Sequence, residues 1–438
     1  MRDKSKPLFS RPVLAAIMLF STLAIWLLNL TAPSAKLPTP NIEQWTTDSG
    51  IPVVWLNQDA WQGSDKLEIR FSFRAVTTDT KLIQSTLAML MSDALPLSTA
   101  SVNQRLSPLA AKATTYYDHE NQILGLTVSN NPSYLIPSLK LTKSWLTQTA
   151  FKSRTFDNWQ GRNPYQQTVQ HELEQILFFQ QNTTPINQIT LSDVKEYYQK
   201  MTQSVATIYL VGDMSEQSQN IVKAGLNAIT EQFSPIFAAN KSGSEAIDLT
   251  SLSALIQQNQ GVLWQTRSAL ALSPVNTVQQ WLSLQIWGTD LVDSLNAQEH
   301  IDFVQLALAL SPHHPWVWWN VQYSQANQYA DVSNITTGEP DISLKSFVFV
   351  EQVPSIKNKK RFEQLLENLI IQLEENTLSP TWWSVIAGQF THQDSKLTLE
   401  TFAQDYKEAV DNFRYEDYQL ALRQLINAQT YQEIQVYQ

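Results

Sequence analysis

An uncharged apolar segment near the N-terminus is the feature that most constrains how this chain can fold. Residues 12–30 read PVLAAIMLFSTLAIWLLNL and contain no charged side chain. A helix needs about 20 such residues to cross the hydrocarbon core of a bilayer. A surface helix of a globular domain would have a polar face, and this segment has none. We therefore predict a transmembrane helix at 12–30 rather than a buried core helix.

The charges around this segment predict its orientation. Basic residues precede it, and no further basic residue follows before Lys36. The positive-inside rule then leaves residues 1–11 in the cytoplasm and sends the body of the chain across the inner membrane into the periplasm. The alternative is a cleaved signal peptide with Ala32-Pro33-Ser34 at its cleavage site, but the apolar run exceeds the roughly 7–15 residues typical of such a peptide. The Pro-rich residues 31–41 predict an extended spacer.

Composition excludes several classes of protein. The net charge is −10, and an acidic chain lacks the basic surface that nucleic-acid phosphates require. The absence of cysteine excludes disulfides, Cys-ligated zinc, iron–sulfur clusters and thiol catalysis. A hydrophobic fraction of 43% is enough to build sizeable packed cores.

The first half of the body alternates between strand and helix patterns. Residues 66–76, KLEIRFSFRAV, place apolar side chains at every second position, as in a half-buried strand. The turn Asp48-Ser49-Gly50 precedes another strand and predicts a hairpin. We predict an α+β fold in which helices pack against a mostly antiparallel sheet. The further strands are expected at 53–56, 114–117, 123–128 and 206–211, and the helices at 81–95, 98–109, 132–149, 166–180, 191–201 and 215–233. Ser98 and the pair Ser192-Asp193 are the expected caps of two of these helices.

The second half repeats the same kinds of element. Aromatic alternating strands are expected at 316–323 and 342–351, followed by an amphipathic helix at 361–375. Ser379-Pro380 begins another helix, with Ser as its cap and Pro at its first position. We predict a first domain at 42–237, a polar linker at 238–251 and a more diverged second domain at 252–438. Their similar length and element types predict an internal duplication.

Several blocks of the chain resemble the pitrilysin/insulinase family of metallopeptidases. TDSGIPVVWLNQD and KLEIRFSFRAV are similar to the opening strands of that family, and LSDVKEYYQKMTQSVATIYLVGDMSEQ to its closing helix and strand. ISLKSFVFVE and KRFEQLLENLIIQLEENTLSPTWW fit its second repeat by pattern. The resemblance covers roughly residues 42–425. It implies two pitrilysin-like repeats behind the membrane helix.

The residues that carry the chemistry of this family are missing. Its H-x-x-E-H motif provides two zinc-binding imidazoles and a general base on the first helix. The corresponding positions here are Gln84, Leu87 and Ala88, and no histidine occurs in residues 1–118. The sequence SPHHPWVWW stands where the family carries a substrate-binding R-x-x-G-L-x-Y motif. We therefore expect no catalytic residue, no metal and no cofactor, and zinc only if unrecognised ligands hold it.

The histidines elsewhere give weak metal signals. His119-Glu120 is interpreted as a solvated turn, and the set His171, Glu172 and Glu174 as the polar face of a helix. Adjacent residues of an extended segment point to opposite sides, so His313-His314 are not expected to chelate together. His392 is remote in sequence from His313 and His314.

Two tryptophan clusters admit two interpretations. Large aromatic side chains usually form cores, but they can also line a peptide-binding surface. We interpret both clusters as core or interdomain packing, with the peptide-binding surface as the alternative. The clusters are Trp316, Trp318 and Trp319, and Trp382 with Trp383.

Three functional hypotheses follow from the sequence. The resemblance implies a non-catalytic membrane-anchored protein that pairs with an active pitrilysin-like peptidase and helps to hold extended peptides. The first alternative is an active zinc metallopeptidase with unrecognised ligands. The second is a scaffold of a membrane complex that binds no peptide.

Overall fold

A computed structural model describes residues 37–77, 79–162, 168–178, 188–236, 253–324, 353–390 and 396–438. The chain divides into residues 1–38 and a compact unit of residues 39–438, whose fold is given below. The predicted membrane segment, the linker at 238–251, the strand at 342–351 and His392 lie outside the described residues. Within the described ranges, none of the helices combines the length and apolarity needed to cross a membrane.

The described part of the unit contains two sheets and the helices that cover them. The strands are β1 Asn41–Thr46, β2 Pro52–Asn57, β3 Lys66–Arg74, β4 Lys112–Tyr117, β5 Asn121–Ser129, β6 Val205–Val211, β7 Ala254–Gln258, β8 Leu263–Ala271, β9 Ile301–Ala309, β10 Trp316–Tyr323 and β11 Gln432–Tyr437. The helices are α1 Thr80–Met91, α2 Val102–Leu106, α3 Pro132–Thr147, α4 Ser153–Gly161, α5 Val169–Leu177, α6 Leu191–Thr202, α7 Glu216–Thr230, α8 Val278–Asn296, α9 Pro354–Lys357, α10 Lys359–Asn376, α11 Pro380–Gln389, α12 Leu399–Asn412 and α13 Tyr415–Leu425.

The first sheet has the strand order β1-β2-β6-β3-β5-β4. The predicted hairpin forms between β1 and β2, and its turn contains Gly50 with φ +83°, a conformation that favours glycine. The β2–β6 pair is parallel, and the other pairs are antiparallel. The alternating side chains of β3 enter the core as predicted, since Leu67, Ile69, Phe71 and Phe73 are all buried.

The second sheet repeats the connectivity of the first. Its order is β7-β11-β8-β10-β9, which matches β2-β6-β3-β5-β4 strand for strand. The first pair is again parallel and the remaining pairs antiparallel. In both halves the strand that ends the series, β4 or β9, is an edge strand, and a hairpin turn joins it to its neighbour. The predicted α+β class with mostly antiparallel sheets is confirmed, while the domain boundaries and the duplication stay predictions.

The two halves exchange helices. Helix α5 precedes the closing strand of the first sheet in sequence, yet it packs against β8, β10 and β11 of the second sheet. Its Leu173 and Leu177 share a buried cluster with Trp316 and Trp318 of β10. The apolar face of α5 is therefore buried only when the two halves pack together.

Helix α11 makes the reciprocal contact, because it lies in the second half and packs against β3 and β6. Two hydrogen bonds from the first half hold the residues just before this helix. Gln58 donates from Nε2 to the carbonyl of Thr377 at 3.0 Å, and Trp61 donates from Nε1 to the carbonyl of Leu378 at 2.8 Å. Beyond the helix, the Tyr209 hydroxyl donates to the carbonyl of Phe390 at 3.0 Å.

Local signals located most elements of the first half but misplaced two caps. Helix α2 is capped by Ser101 rather than Ser98: Ser101 Oγ accepts from the Gln104 N–H at 3.3 Å, and the Gln104 side chain accepts from the Ser101 N–H at 3.0 Å. Helix α6 is capped by Thr190, one residue before its start, in a capping box with Asp193. In each case the reciprocal pair three residues apart decides where the helix begins.

Leu173 tests the helix exchange. The Leu173→Ala variant should lose about 2–5 kcal/mol of unfolding free energy, because a fully buried side chain leaves a cavity. Urea denaturation followed by circular dichroism measures this loss. Leu420→Ala is the matched control, since Leu420 is 58% exposed on α13 and its loss should cost no more than about 0.5 kcal/mol. Equal stability of the two variants would contradict the packing of α5.

Candidate binding site between the two sheets

Helix α1 occupies the place of the zinc helix in the family resemblance. Asp79 caps it by accepting from the N–H groups of Lys81 at 3.1 Å and Leu82 at 3.2 Å. At the three motif positions, Leu87 is only 3% exposed and belongs to the main core, while Gln84 and Ala88 are half-buried. No imidazole or carboxylate stands at any of the three.

The other side of α1 is packed as well. Met89 is buried in a small cluster with Phe156 of α4, Ile189 and Val194 of α6. The helix is thus held between the main core and a second apolar cluster. Of the motif positions, the one for the general base is therefore core, while the two for the imidazoles are half-buried.

An open cavity of about 350 Å³ lies between the two halves. The edge strands β4 and β9 both contribute to its wall, and so does α11. The unpaired side of an edge strand carries free backbone N–H and C=O groups, which can pair with an extended peptide. The lining residues include Tyr116 of β4, Ala307 and Ala309 of β9, Trp318 of β10 and Val385 of α11.

Arg70 of β3 forms a polar part of this wall. Its guanidinium crosses Gly125, where a Cβ would lie 1.8 Å from Arg70 Nη1, so only glycine leaves room for it. It donates to Thr114 Oγ1 at 3.0 Å, Glu68 Oε2 at 3.1 Å and Ser384 Oγ at 3.0 Å. The last contact joins β3 to α11 and so connects the first sheet to the second half.

The β4–β5 turn is buried, contrary to its interpretation as a solvated turn. His119 is 3% exposed and Glu120 is 7% exposed. Asp118 organises the turn by accepting at Oδ1 from the N–H groups of Glu120 at 2.8 Å and Asn121 at 2.6 Å. The prediction was wrong because the turn of the second half, residues 311–315, lies against it and removes it from water.

The polar side chains of α5, interpreted as a polar helix face, pack against neighbouring elements. Glu174 is fully buried, and its Oε1 accepts from both the N–H and Nδ1 of His119, each at 2.9 Å. His171 is buried and stacks on Tyr117 with a centroid distance of 4.6 Å. Glu172 pairs with Arg267 of β8. His171, Glu172 and Glu174 therefore all contact neighbouring elements.

The adjacent histidines of the second half converge on Glu120. His314 Nδ1 lies 2.8 Å from Glu120 Oε1, and His313 Nδ1 lies 3.3 Å from Oε2. The backbone N–H of His314 also donates to Oε1 at 2.6 Å. The expectation of opposite orientations was wrong, because residues 312–314 form a bend rather than an extended strand.

This environment shifts the pKa values of the turn. Burial would raise the pKa of Glu120, but hydrogen bonds from His313 and His314 outweigh it and lower the pKa below its ordinary value. Burial raises the pKa of Asp118 to about 6, with a contribution from the neighbouring carboxylates. Burial lowers the pKa of His119, yet the hydrogen bond and charge of Glu174 bring it above its ordinary value.

The tryptophan clusters form cores, as interpreted. Trp316, Trp319 and Trp383 are fully buried, while Trp382 is half-buried. Trp318 has both roles, since it packs in the second-sheet cluster and also lines the cavity.

Comparison with solved structures identifies the architecture. The structure superposes on the peptidase M16 inactive domain from Pseudomonas fluorescens with a TM-score of 0.66 at 16% identity, over 91% of this chain and 98% of that one. The chain has the pitrilysin-type fold. The predicted resemblance is therefore confirmed at the level of the fold. No family model matches the sequence, and no curated protein does.

Two proteases share this pitrilysin-type fold in part of their length. The periplasmic protease PqqL from Escherichia coli matches with a TM-score of 0.66 at 13% identity, over 91% of this chain and 45% of that one. The ferredoxin protease FusC, solved in complex with Arabidopsis ferredoxin, matches with a TM-score of 0.65 at 11% identity, over 92% and 46%. This chain thus spans just under half of each protease.

The meeting of the two hairpin turns escaped the sequence reasoning. His119-Glu120 and His313-His314 occupy the corresponding turns β4–β5 and β9–β10 of the two halves. Alignment of the two halves on their strand order would have placed both pairs at equivalent positions. Their contact itself needed the packing of one half on the other.

Leu87 tests whether the former motif position has become core. The Leu87→Glu variant restores the family's general base in sequence, but it should lose several kcal/mol of unfolding free energy because it buries an unpaired charge. Leu87→Met is the control and should cost less than about 1.5 kcal/mol, since it preserves apolar volume. Thermal unfolding measures both, and a Leu87→Glu protein as stable as the Met variant would show an open, solvated helix face.

Proposed function

We propose that this protein is a non-catalytic, membrane-anchored pitrilysin-like subunit that holds extended peptides for an active partner peptidase. The observation that carries the proposal is that Leu87, at the position of the family's general base, lies in the main core while an open cavity remains between two edge strands. A chain can bind peptide through backbone pairing and apolar contacts without any catalytic group.

The partner in this proposal is a pitrilysin-like zinc peptidase with an intact H-x-x-E-H motif. Two of the proteases with this fold are about twice as long as the part that this chain matches, which leaves room for a second unit of comparable size. One of them was solved with a protein bound. In our proposal, the second unit is supplied by a separate chain.

The anchor in this proposal is the segment 12–30, which places the folded unit at the periplasmic face of the inner membrane. Its support is the uncharged apolar sequence and the basic residues before it. Carbonate-washed membranes should accordingly retain the full chain. Release of the chain into the soluble fraction would contradict a membrane anchor at 12–30.

Peptide binding is tested at Val385, which lines the cavity from α11 and is 56% exposed. A fluorescein-labelled dodecapeptide of alternating valine and serine should bind the full chain, as measured by fluorescence anisotropy. Val385→Asp should weaken binding about tenfold, the value of one buried aliphatic side chain.

The matched control is Ile371→Asp, because Ile371 is a β-branched residue 52% exposed on α10 and away from the cavity wall. It should leave the anisotropy curve unchanged. Equal weakening in both variants, or no binding by the full chain, would contradict a peptide site in this cavity.

The partnership is tested by crosslinking in native membranes and purification of the tagged full chain. We expect co-purification of a peptidase that bears H-x-x-E-H, and no such peptidase with an unrelated tagged single-pass protein. The purified chain alone should hydrolyse no peptide. Reproducible absence of a peptidase would count against the partnership, and chelator-sensitive hydrolysis by the chain alone would favour the active-enzyme alternative.

A further inference from the structure

Three side chains that could bind a metal lie where the two hairpin turns meet. His119 and Glu120 come from the β4–β5 turn, and His314 comes from the β9–β10 turn. One possible ligand atom of each lies within 4.8 Å of those of the other two. Among the described residues this is the sole group of three or more such side chains with that spacing.

The contacts of the buried His119 ring favour a bound cation. Its Nδ1 lies 2.9 Å from Glu174 Oε1, and a carboxylate there holds the imidazole proton on Nδ1. In the neutral ring the lone pair is therefore on Nε2, which is buried without a hydrogen-bond partner. Nε2 faces Glu120 Oε1 at 3.9 Å, so two electron-pair donors oppose each other across a gap. A positive charge between them would satisfy both.

The surroundings favour a cation as well. Asp118, Glu120 and Glu174 are three carboxylates that all act on His119. Among the described residues, the ion pairs of Glu120 and Glu174 are all with histidines. Neither Lys nor Arg neutralises them in that set. A divalent ion would offset this concentration of negative charge.

We propose that His119, Glu120 and His314 bind a zinc-class divalent transition metal that joins the two halves of the protein. Two imidazoles and a carboxylate are a donor set that zinc accepts, whereas calcium and magnesium prefer oxygen alone. This site is distinct from the α1 motif positions. It departs from the sequence-based expectation of no metal and does not depend on the proposed peptide binding.

The geometry needs only a local adjustment. Zinc bonds to nitrogen and oxygen of about 2.0–2.2 Å place tetrahedral ligand atoms roughly 3.4 Å apart. His119 Nε2 and Glu120 Oε1, now 3.9 Å apart, must therefore approach by about 0.5 Å, and His314 Nδ1 and Glu120 Oε1, now 2.8 Å apart, must separate by about as much. The side chain of His314 is 35% exposed and has room to move. On binding, the neutral ring of His314 carries its proton on Nε2, so the Nδ1 lone pair coordinates the metal, and water completes the coordination.

Glu174 is the positioning residue of this site. It accepts from the Nδ1 side of His119 and is itself buried, as are the carboxylates that orient metal-bound imidazoles in other proteins. His119 also stacks on Phe178 with a centroid distance of 4.0 Å, which fixes the ring plane. Glu174 and Phe178 therefore fix the orientation of a proposed ligand, His119.

The test uses the purified full chain, stripped with chelator and titrated with zinc chloride against a chromophoric competitor. We expect one zinc ion per chain, a higher unfolding temperature with zinc, and visible d–d bands of a four- or five-coordinate ion after cobalt substitution. Absence of uptake at micromolar free zinc, or a six-coordinate cobalt spectrum, would overturn the proposal.

Variants assign the site to its residues. His314→Ala should reduce zinc affinity by more than the roughly 10–100-fold that loss of an orienting partner costs, and Glu120→Gln should do the same. Glu174→Gln should fall within that 10–100-fold range and keep the cobalt spectrum of the native chain. Unchanged affinity in His314→Ala or Glu120→Gln would overturn the assignment.

The matched control is His300→Ala, an exposed histidine at the start of β9 that stacks on Tyr323 away from the cluster. It should bind zinc as the native chain does. Circular dichroism of every variant without zinc separates loss of a ligand from loss of fold. If His300→Ala weakens zinc as much as His314→Ala does, the metal is bound by scattered surface histidines and the proposal fails.

Discussion

The exchange of α5 and α11 between the two sheets is the constraint on which the rest of this structure depends. Leu173 and Leu177 of α5 are fully buried against β10, and α11 packs on β3 and β6. Burial of this kind contributes about 25 cal/mol per Å² of apolar area, so separating the halves would expose apolar surface that their contact now buries. The cavity, the Arg70 network and the meeting of the hairpin turns all lie where the exchange brings the halves together.

The same packing accounts for the loss of chemistry on α1. A zinc helix must present polar ligands to a wet cleft, which costs stability that an active enzyme accepts for its function. Here Leu87 lies in the main core and Met89 in a second apolar cluster, while Gln84 and Ala88 are half-buried and offer no metal ligand. The pitrilysin-type scaffold survives because its apolar alternation, caps and strand order do not involve the motif residues. What remains available for function is the surface between the sheets.

Polar groups concentrate at the junction of the two halves rather than on α1. Glu120 accepts from the side chains and backbone of the second-half turn, and burial makes each of these hydrogen bonds more important than at a surface. A metal at His119, Glu120 and His314 would reinforce the same junction. The cavity between the sheets and the proposed metal site thus depend on one contact, since both need the turns and helices of the two halves in their observed places.

The sequence by itself determined the elements whose signals are local. The alternation of residues 66–76, the hairpin at Gly50, the Ser379-Pro380 helix start and the missing H-x-x-E-H motif could all be predicted, because each depends on side chains a few residues apart. Tertiary structure alone decided the burial of His119, Glu120 and Glu174, the convergence of His313 and His314, and the exchange of helices. These outcomes depend on contacts between residues 55 to 314 positions apart in the chain, for which local periodicity carries no information.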